Sequence, residues 1–207
     1  MKRIILFQGG YCGDLLLGMI DKDALEPLLL SPFKKLFKGR ATSVNYIIKR
    51  NRAEMKKYYN YTDKEKKNYY NNINNTIITH DTDFCLEYEK ENTIQIICSN
   101  DSLLSIIAKR DYTIHKFEKE SKGESIESFT RSVVGSDISD VNEYINNYSE
   151  SLVGWQQIPF LYKFDIKNIG TEKFTSDVCD YFQVKDTKWA KKIYGKWLEK
   201  EKFLKFQ

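Results

Sequence analysis

Residues 4–20 constrain this chain most. Ile4, Ile5, Leu6 and Phe7 form a short apolar strand pattern, which runs into Gln8-Gly9-Gly10-Tyr11-Cys12-Gly13-Asp14 and then into Leu15-Leu16-Leu17-Gly18-Met19-Ile20. A strand, a glycine-rich turn and a helix start, in that order, point backbone N–H groups and the positive end of a helix dipole at one spot, which suits an anion. Glycine allows close backbone approach or positive φ in such a turn. The loop has neither the Lys-Ser/Thr of a Walker sequence nor the full spacing of a dinucleotide fingerprint. Two readings of Gly9-Gly10-Tyr11-Cys12-Gly13-Asp14 therefore stand side by side: a phosphate cradle, or a tight turn in which glycine only relieves crowding. Asp14 weakens the first, because a carboxylate at a helix start occupies the same positive end.

The 207 residues suffice for one domain with a sizeable core. A hydrophobic share of 41 % and an aromatic share of 14 % exclude a disordered chain, and a charged share of 30 % fits well-solvated faces. The net charge of +4 accommodates a phosphorylated ligand without pointing to nucleic acid. Cys12, Cys85, Cys98 and Cys179 are scattered, with neither a CxxC pair nor zinc-type Cys/His spacing, so reduced thiols and no metal are expected. The apolar run after Lys2-Arg3 is too short for a signal peptide, and no stretch reaches the ~20 residues of a membrane helix. A cytoplasmic protein without a membrane span is expected. Abundant Lys, Asn, Ile and Tyr, as in Tyr69-Tyr70-Asn71-Asn72-Ile73-Asn74-Asn75, suggest an AT-rich genome such as that of a virus, a phage or a small-genome bacterium.

Along the chain, Leu15–Ile20 starts a short helix with Asp14 at its N-terminus. Asp21–Pro32 reads as a connection. Ser43–Tyr59 carries Val44, Ile47, Ile48 and Met55 at helical spacing, and residues 56–75 read as the end of that helix and a basic, Tyr/Asn-rich surface arm. Asn75–Thr79 is a short strand followed by His80-Asp81-Thr82-Asp83, then a helix over 84–90 and a strand over Thr93–Cys98. Ser99-Asn100-Asp101-Ser102 caps a helix whose buried side holds Leu103, Leu104, Ile106 and Ile107 and which Lys109-Arg110 close. Asp111–Glu150 is polar and broken by Gly123 and Gly135, with a helix over Ser136–Tyr148. Phe160–Ile166 alternates as a strand, and helices follow over Thr171–Phe182 and Lys188–Phe206. Strands separated by helices mean a single α/β domain over 1–207, with a mostly parallel sheet flanked by helices.

Ligands of such sheets lie beyond the carboxyl ends of the strands. His80 stands at one such end and would lie beside the glycine loop if the two strands are neighbours; it then suits a general base acting on a hydroxyl. Its other reading is a turn residue bonded into a cap. Ser99 and Ser105 lie at and after the end of the third strand, with Lys109 and Arg110 beyond; a cap accounts for Asp101 and Ser102 without any function, and a solvated last turn is preferred for Ser105, Lys109 and Arg110, which touch a phosphate only if the helix lines the cleft. The basic Lys49–Tyr70 stretch is diluted by Glu54, Asp63 and Glu65 and reads as a solvated arm, so nucleic acid is not expected as a partner.

This order of landmarks resembles the P-loop sulfotransferase superfamily. Gly10-Tyr11-Cys12-Gly13-Asp14-Leu15 looks like the phosphosulfate loop, and His80 like the catalytic histidine. Ile94–Ser105 looks like the segment that binds the donor's 3′-phosphate, and Leu161-Tyr162-Lys163-Phe164-Asp165-Ile166 with Phe174–Gln183 like the C-terminal strand and helix. The resemblance implies a P-loop NTPase/sulfotransferase-like fold. It implies transfer of a sulfonate group from 3′-phosphoadenosine 5′-phosphosulfate to a hydroxyl of a small molecule or glycan, with no metal. Gly9, Gly10, Tyr11, Cys12, Gly13, Asp14, Ser99 and Ser105 would hold the donor, and His80 would be the base. Tyr11 replaces the loop's basic residue, Cys12, Asp14 and Leu15 replace its hydroxyl residues, and Ser99-Asn100-Asp101 lacks the expected arginine. A single charge-stabilising donor is worth roughly 3 kcal/mol in catalysis. Two other readings therefore stay open: a catalytically degenerate member of the fold that serves as a structural or interaction protein in a larger particle, in a virion or host cytoplasm, or another nucleotide-dependent transferase.

Overall fold

The computed structural model describes residues 4–8, 13–22, 25–27, 46–48, 61–72 and 76–200. Its centre is a four-stranded parallel sheet of β1 (Ile4–Leu6), β4 (Ile77–Thr79), β5 (Thr93–Ile97) and β6 (Tyr162–Asp165), in the order β4-β1-β5-β6. β1 is buried along its whole length, and β5 at every position but its last. Burial of both faces is what makes β1 an unbroken apolar run, while β5 buries Thr93 and Gln95 among its isoleucines.

Two helical groups cover the sheet. Register pairs Gln95 with Lys163 and Ile96 with Phe164, so Gln95 and Phe164 point to opposite faces. Phe164 packs on Phe174 and Phe182 of α7 (Lys173–Phe182), and α7 meets α1 (Gly13–Ile20) and α8 (Thr187–Lys200). On the other face Gln95 Nε2 donates to the Trp155 carbonyl at 2.5 Å. Trp155 lies on α6 (Val141–Gln157), which packs along α4 (Asp101–Glu120) and α5 (Glu127–Val134). The expectation of an α/β fold with a parallel sheet and flanking helices is met. α3 (Thr82–Tyr88) and a 3-10 turn (Lys90–Asn92) join β4 to β5. Trp197, 1 % exposed, and the half-buried Trp189, whose indole N–H donates to the Gly18 carbonyl, are core contacts.

Several local expectations are corrected. Within the predicted 43–59 helix, Tyr46–Ile48 is a strand, β3, antiparallel to β2 (Leu25–Pro27), which itself lies in the predicted 21–32 connection. Adjacent β-branched Ile47 and Ile48 beside Tyr46 favour a strand despite the helical spacing; the other residues of 49–60 lie outside the described ones. The predicted surface arm contains α2 (Asp63–Asn72). A reciprocal cap opens it: Glu65 N donates to Thr62 Oγ1 at 3.4 Å, and Thr62 N to Glu65 Oε2 at 2.8 Å. α4 does not close at Lys109-Arg110 but continues to Glu120, because Ala108, Asp111 and Tyr112 extend its buried stripe. α6 starts and ends later than predicted and reaches the core through Trp155. Gly135 ends α5 in a left-handed cap, with φ 77°.

Candidate functional site

The chain leaves β1 toward β4 on one side and returns past β1 to β5 on the other, while α1 and α4 lie on opposite faces. β1 and β5 therefore flank a topological switch point, the place where open parallel sheets hold ligands. Among the described residues, the end of β1 at Phe7-Gln8, the start of α1 at Gly13 and the loop leading from Cys98 to Asp101 border it.

On the β1 side, Phe7 organises the geometry. Its N–H donates to the Thr79 carbonyl at 3.2 Å, extending the β1–β4 ladder by one residue. Its carbonyl lies 2.6 Å from His80 Nδ1. A carbonyl only accepts, so Nδ1 carries the hydrogen, and in the neutral ring Nε2 keeps its lone pair. The His80 and Phe7 ring centroids are 4.2 Å apart, and His80 is exposed. Asp81, next in the chain, caps α3 by accepting from Phe84 N at 3.2 Å, while its own N–H donates to Thr79 Oγ1. His80 is thus held between a strand end and a helix cap, with Nε2 unspent by either. The expected adjacency of β4 and β1 is present.

Phe7 also explains one glycine. A Cβ on Gly13 would lie 2.4 Å from the Phe7 ring. The start of α1 can approach the end of β1 only without a side chain there, which supports the crowding reading of Gly13. Asp14 is the second residue of α1 and does not precede the helix. Gly9, Gly10, Tyr11 and Cys12 lie outside the described residues.

On the β5 side, the cap of α4 is Asn100, whose Oδ1 accepts from Leu103 N at 3.0 Å. Ser99 is not free: its N–H donates to Asp165 Oδ1 at 3.1 Å and its hydroxyl to Asp165 Oδ2. Lys167 N also donates to Asp165 Oδ1, at 2.9 Å, and Lys167 Nζ is 4.0 Å from Oδ2. This clasp ties the tips of β5 and β6. Ser105 lies one turn into α4 and donates its hydroxyl to the Asp101 carbonyl at 3.1 Å, an intrahelical bond that leaves the serine as a helix residue. Gly13 and His80 thus meet at Phe7, Ser99 stands across the switch point, and Ser105 joins neither.

α4, α5 and α6 also enclose a polar cluster. Tyr144 OH donates to Asp111 Oδ2 at 3.1 Å, His115 Nδ1 is 3.5 Å from Asp111 Oδ1, and the His115 ring stacks on Phe129 at 3.8 Å. Burial raises the Asp111 carboxyl above its usual range, against the opposing pull of His115 and Tyr144. Burial likewise pushes the free Cys85 and Cys98 thiols up to about 12, a range in which a thiol is unreactive at neutral pH. Among the described residues no group of three or more His, Cys, Asp and Glu side chains is placed to hold a metal, and no helix is long and apolar enough to cross a membrane.

Fold and site together define an α/β protein with a parallel sheet, helices on both faces and an oriented histidine at the carboxyl edge. No family model matches the chain, and no curated protein or solved structure matches it significantly.

Proposed function

We propose that the protein transfers a sulfonate-type group from a phosphorylated nucleotide to a hydroxyl acceptor, with His80 as general base. The observation that carries this reading is the bond from His80 Nδ1 to the Phe7 carbonyl. It directs Nε2, the nitrogen able to take a hydroxyl proton, to the carboxyl edge of the sheet beside the start of α1. As the acceptor oxygen bonds to the sulfonate sulfur, the bond from that sulfur to the donor's phosphate oxygen breaks and the phosphorylated nucleotide leaves with that electron pair; the acceptor's proton passes to Nε2, and the Phe7 carbonyl stabilises the resulting imidazolium through Nδ1–H. The N-terminus of α1 supplies the anion-binding end. 3′-Phosphoadenosine 5′-phosphosulfate, the donor implied by the sulfotransferase resemblance, fits this end in charge. Its 3′-phosphate does not fit Ser99, whose donors already serve Asp165.

That occupied serine favours a second reading, a binding fold without turnover that serves as an interaction protein. One experiment separates the two. The protein is incubated with sulfated adenosine nucleotides and a panel of small hydroxyl and glycan acceptors, while product formation and thermal stability are followed. A ligand at a hundredfold excess over its dissociation constant stabilises the fold by about 2.7 kcal/mol. The enzyme reading expects that stabilisation in both wild type and His80→Ala, with product formation reduced by about 10²–10⁴-fold in the variant. Stabilisation without product in the wild type points to the interaction protein, and no stabilisation by any nucleotide removes the transferase.

A further inference from the structure

We infer that the exposed basic face of α8, together with Lys22, is a docking surface for the phosphate backbone of a nucleic-acid duplex. A net charge of +4 is mild for such a partner when spread over the whole chain, but it is not spread. Residues 185–200, the turn into α8 and α8 itself, hold six lysines against Asp186 and Glu199, a net +4, while the rest of the chain holds 27 Lys and Arg against 27 Asp and Glu. Lys185, Lys188, Lys191 and Lys192 are exposed. The opposite side of the helix, Ala190, Ile193, Tyr194 and Trp197, is buried, so the apolar stripe is spent on the core and the outward face carries charge.

Two details turn this charge into a surface. Trp189, whose indole N–H is fixed on the Gly18 carbonyl, gathers ammoniums from two segments: Lys22 Nζ stands 5.5 Å and Lys192 Nζ 5.7 Å from its ring centroid. Lys188 lies one turn before Lys192 on the same face. Gly195 lies one turn beyond Lys191 and Lys192, and among the described residues a Cβ added there would meet nothing within 4 Å. Glycine weakens a helix interior, and packing gives no reason for it here; it leaves room for another backbone to come close. Asp186 is occupied as a cap, accepting from Trp189 N at 2.9 Å, and Asp180 and Lys191 both lie within electrostatic reach of Cys179, which puts the centre of the surface at Lys22, Lys188 and Lys192.

A duplex backbone fits this face better than other polyanions. Protein interfaces are built on an apolar centre, whereas duplex interfaces are polar and strongly positive. Membrane-surface helices insert an apolar side, and that of α8 is buried. Single strands are held on exposed stacking rings; Trp189 is half-buried with lysines beside it. Trp189 meets the end of α1 away from Gly13 and Phe7, so this surface is separate from the crevice and independent of the transfer reading.

The test titrates a labelled random-sequence DNA duplex with the full chain, by fluorescence anisotropy at salt concentrations from about 50 to about 200 mM. Three to five phosphate contacts give a slope of log affinity against log salt of about −2.7 to −4.5, a loss of roughly 40- to 500-fold over that range. Lys188→Gln/Lys192→Gln should reduce the slope by about 1.8 and weaken binding at the lowest salt at least about tenfold. Lys109→Gln/Lys122→Gln, which removes the same charge from exposed positions on α4 and the turn after it, should leave slope and affinity as in the wild type. Equal weakening in the two double variants, or no saturable binding at the lowest salt, overturns the inference. Displacement of the duplex by phosphatidylserine vesicles or by poly-glutamate at equal charge concentration also overturns it, and reassigns the face to a membrane surface or to an acidic protein.

Discussion

Gly13→Ala tests the packing that holds His80 in place. The added Cβ falls 2.4, 2.5 and 2.6 Å from three carbons of the Phe7 ring, whereas ordinary contact begins at 3.4 Å. The ring must therefore retreat by about 1 Å, but Phe7 is only 8 % exposed and its backbone is bonded on both sides to the end of β4. Overpacking of this kind costs roughly 1–3 kcal/mol. Alanine recovers up to about 1 kcal/mol of helix propensity in α1. The net loss should be roughly 1–2 kcal/mol, or about 2–8 °C in Tm for a chain of this size. Urea denaturation of Gly13→Ala, Phe7→Leu and the double variant measures it. Leucine has no ring to strike, so alanine at 13 should cost less in the Phe7→Leu background, and the two changes should be coupled. A Gly13→Ala protein as stable as wild type, or additive behaviour in the cycle, would refute this account of Gly13.

Three further outcomes are expected. Asp111 is held above the unfolded carboxyl value of about 3.9, so between that value and the raised native one the folded state keeps a proton the unfolded state has lost. Stability should fall as pH rises through that window and then level off, and Asp111→Asn, which still accepts from Tyr144, should flatten the fall; urea midpoints from pH 4 to 8 in both proteins read it, and an unchanged slope in the variant would assign it elsewhere. Gln183 ends α7 with φ 55°, in the left-handed region that costs an L-residue about 1–2 kcal/mol, so Gln183→Gly should raise stability by roughly 0.5–1 kcal/mol after the entropy of glycine is counted. Cys85 and Cys98, with thiols at about 12 and fully buried, should resist iodoacetamide at pH 8 in the native protein and react in urea, as peptide mass mapping would show.

What was legible in the sequence was local. Ile4–Phe7, the strand before His80 and Thr93–Cys98 announce themselves as apolar β-branched runs, and each stands near its predicted place. The stop at Gly135 and the cap within Ser99-Asn100-Asp101-Ser102, where Asn100 supplies the capping side chain, follow from residue chemistry alone. The partners that give the site its meaning were not legible. His80 and Phe7 are 73 residues apart, and Ser99 and Asp165 are 66 apart, so their pairing depends on which strands are neighbours. Asp111 reads in sequence as the start of a polar stretch beyond a helix closed by Lys109-Arg110; Tyr144 and His115, from packing that sequence periodicity does not report, make its burial tolerable. One signal was readable: Thr62-x-x-Glu65 is a capping-box spacing, and it opens α2, a helix without an apolar stripe.

The central claim is that His80 is a base oriented through Nδ1 by the Phe7 carbonyl, with Nε2 presented at the carboxyl edge of the sheet. A long-range proton–nitrogen NMR spectrum of the histidine rings tests it directly, with His80→Gln identifying the signal. The account predicts the neutral His80 ring as the Nδ1–H tautomer, with Nε2 unprotonated. A neutral ring protonated at Nε2 would contradict it.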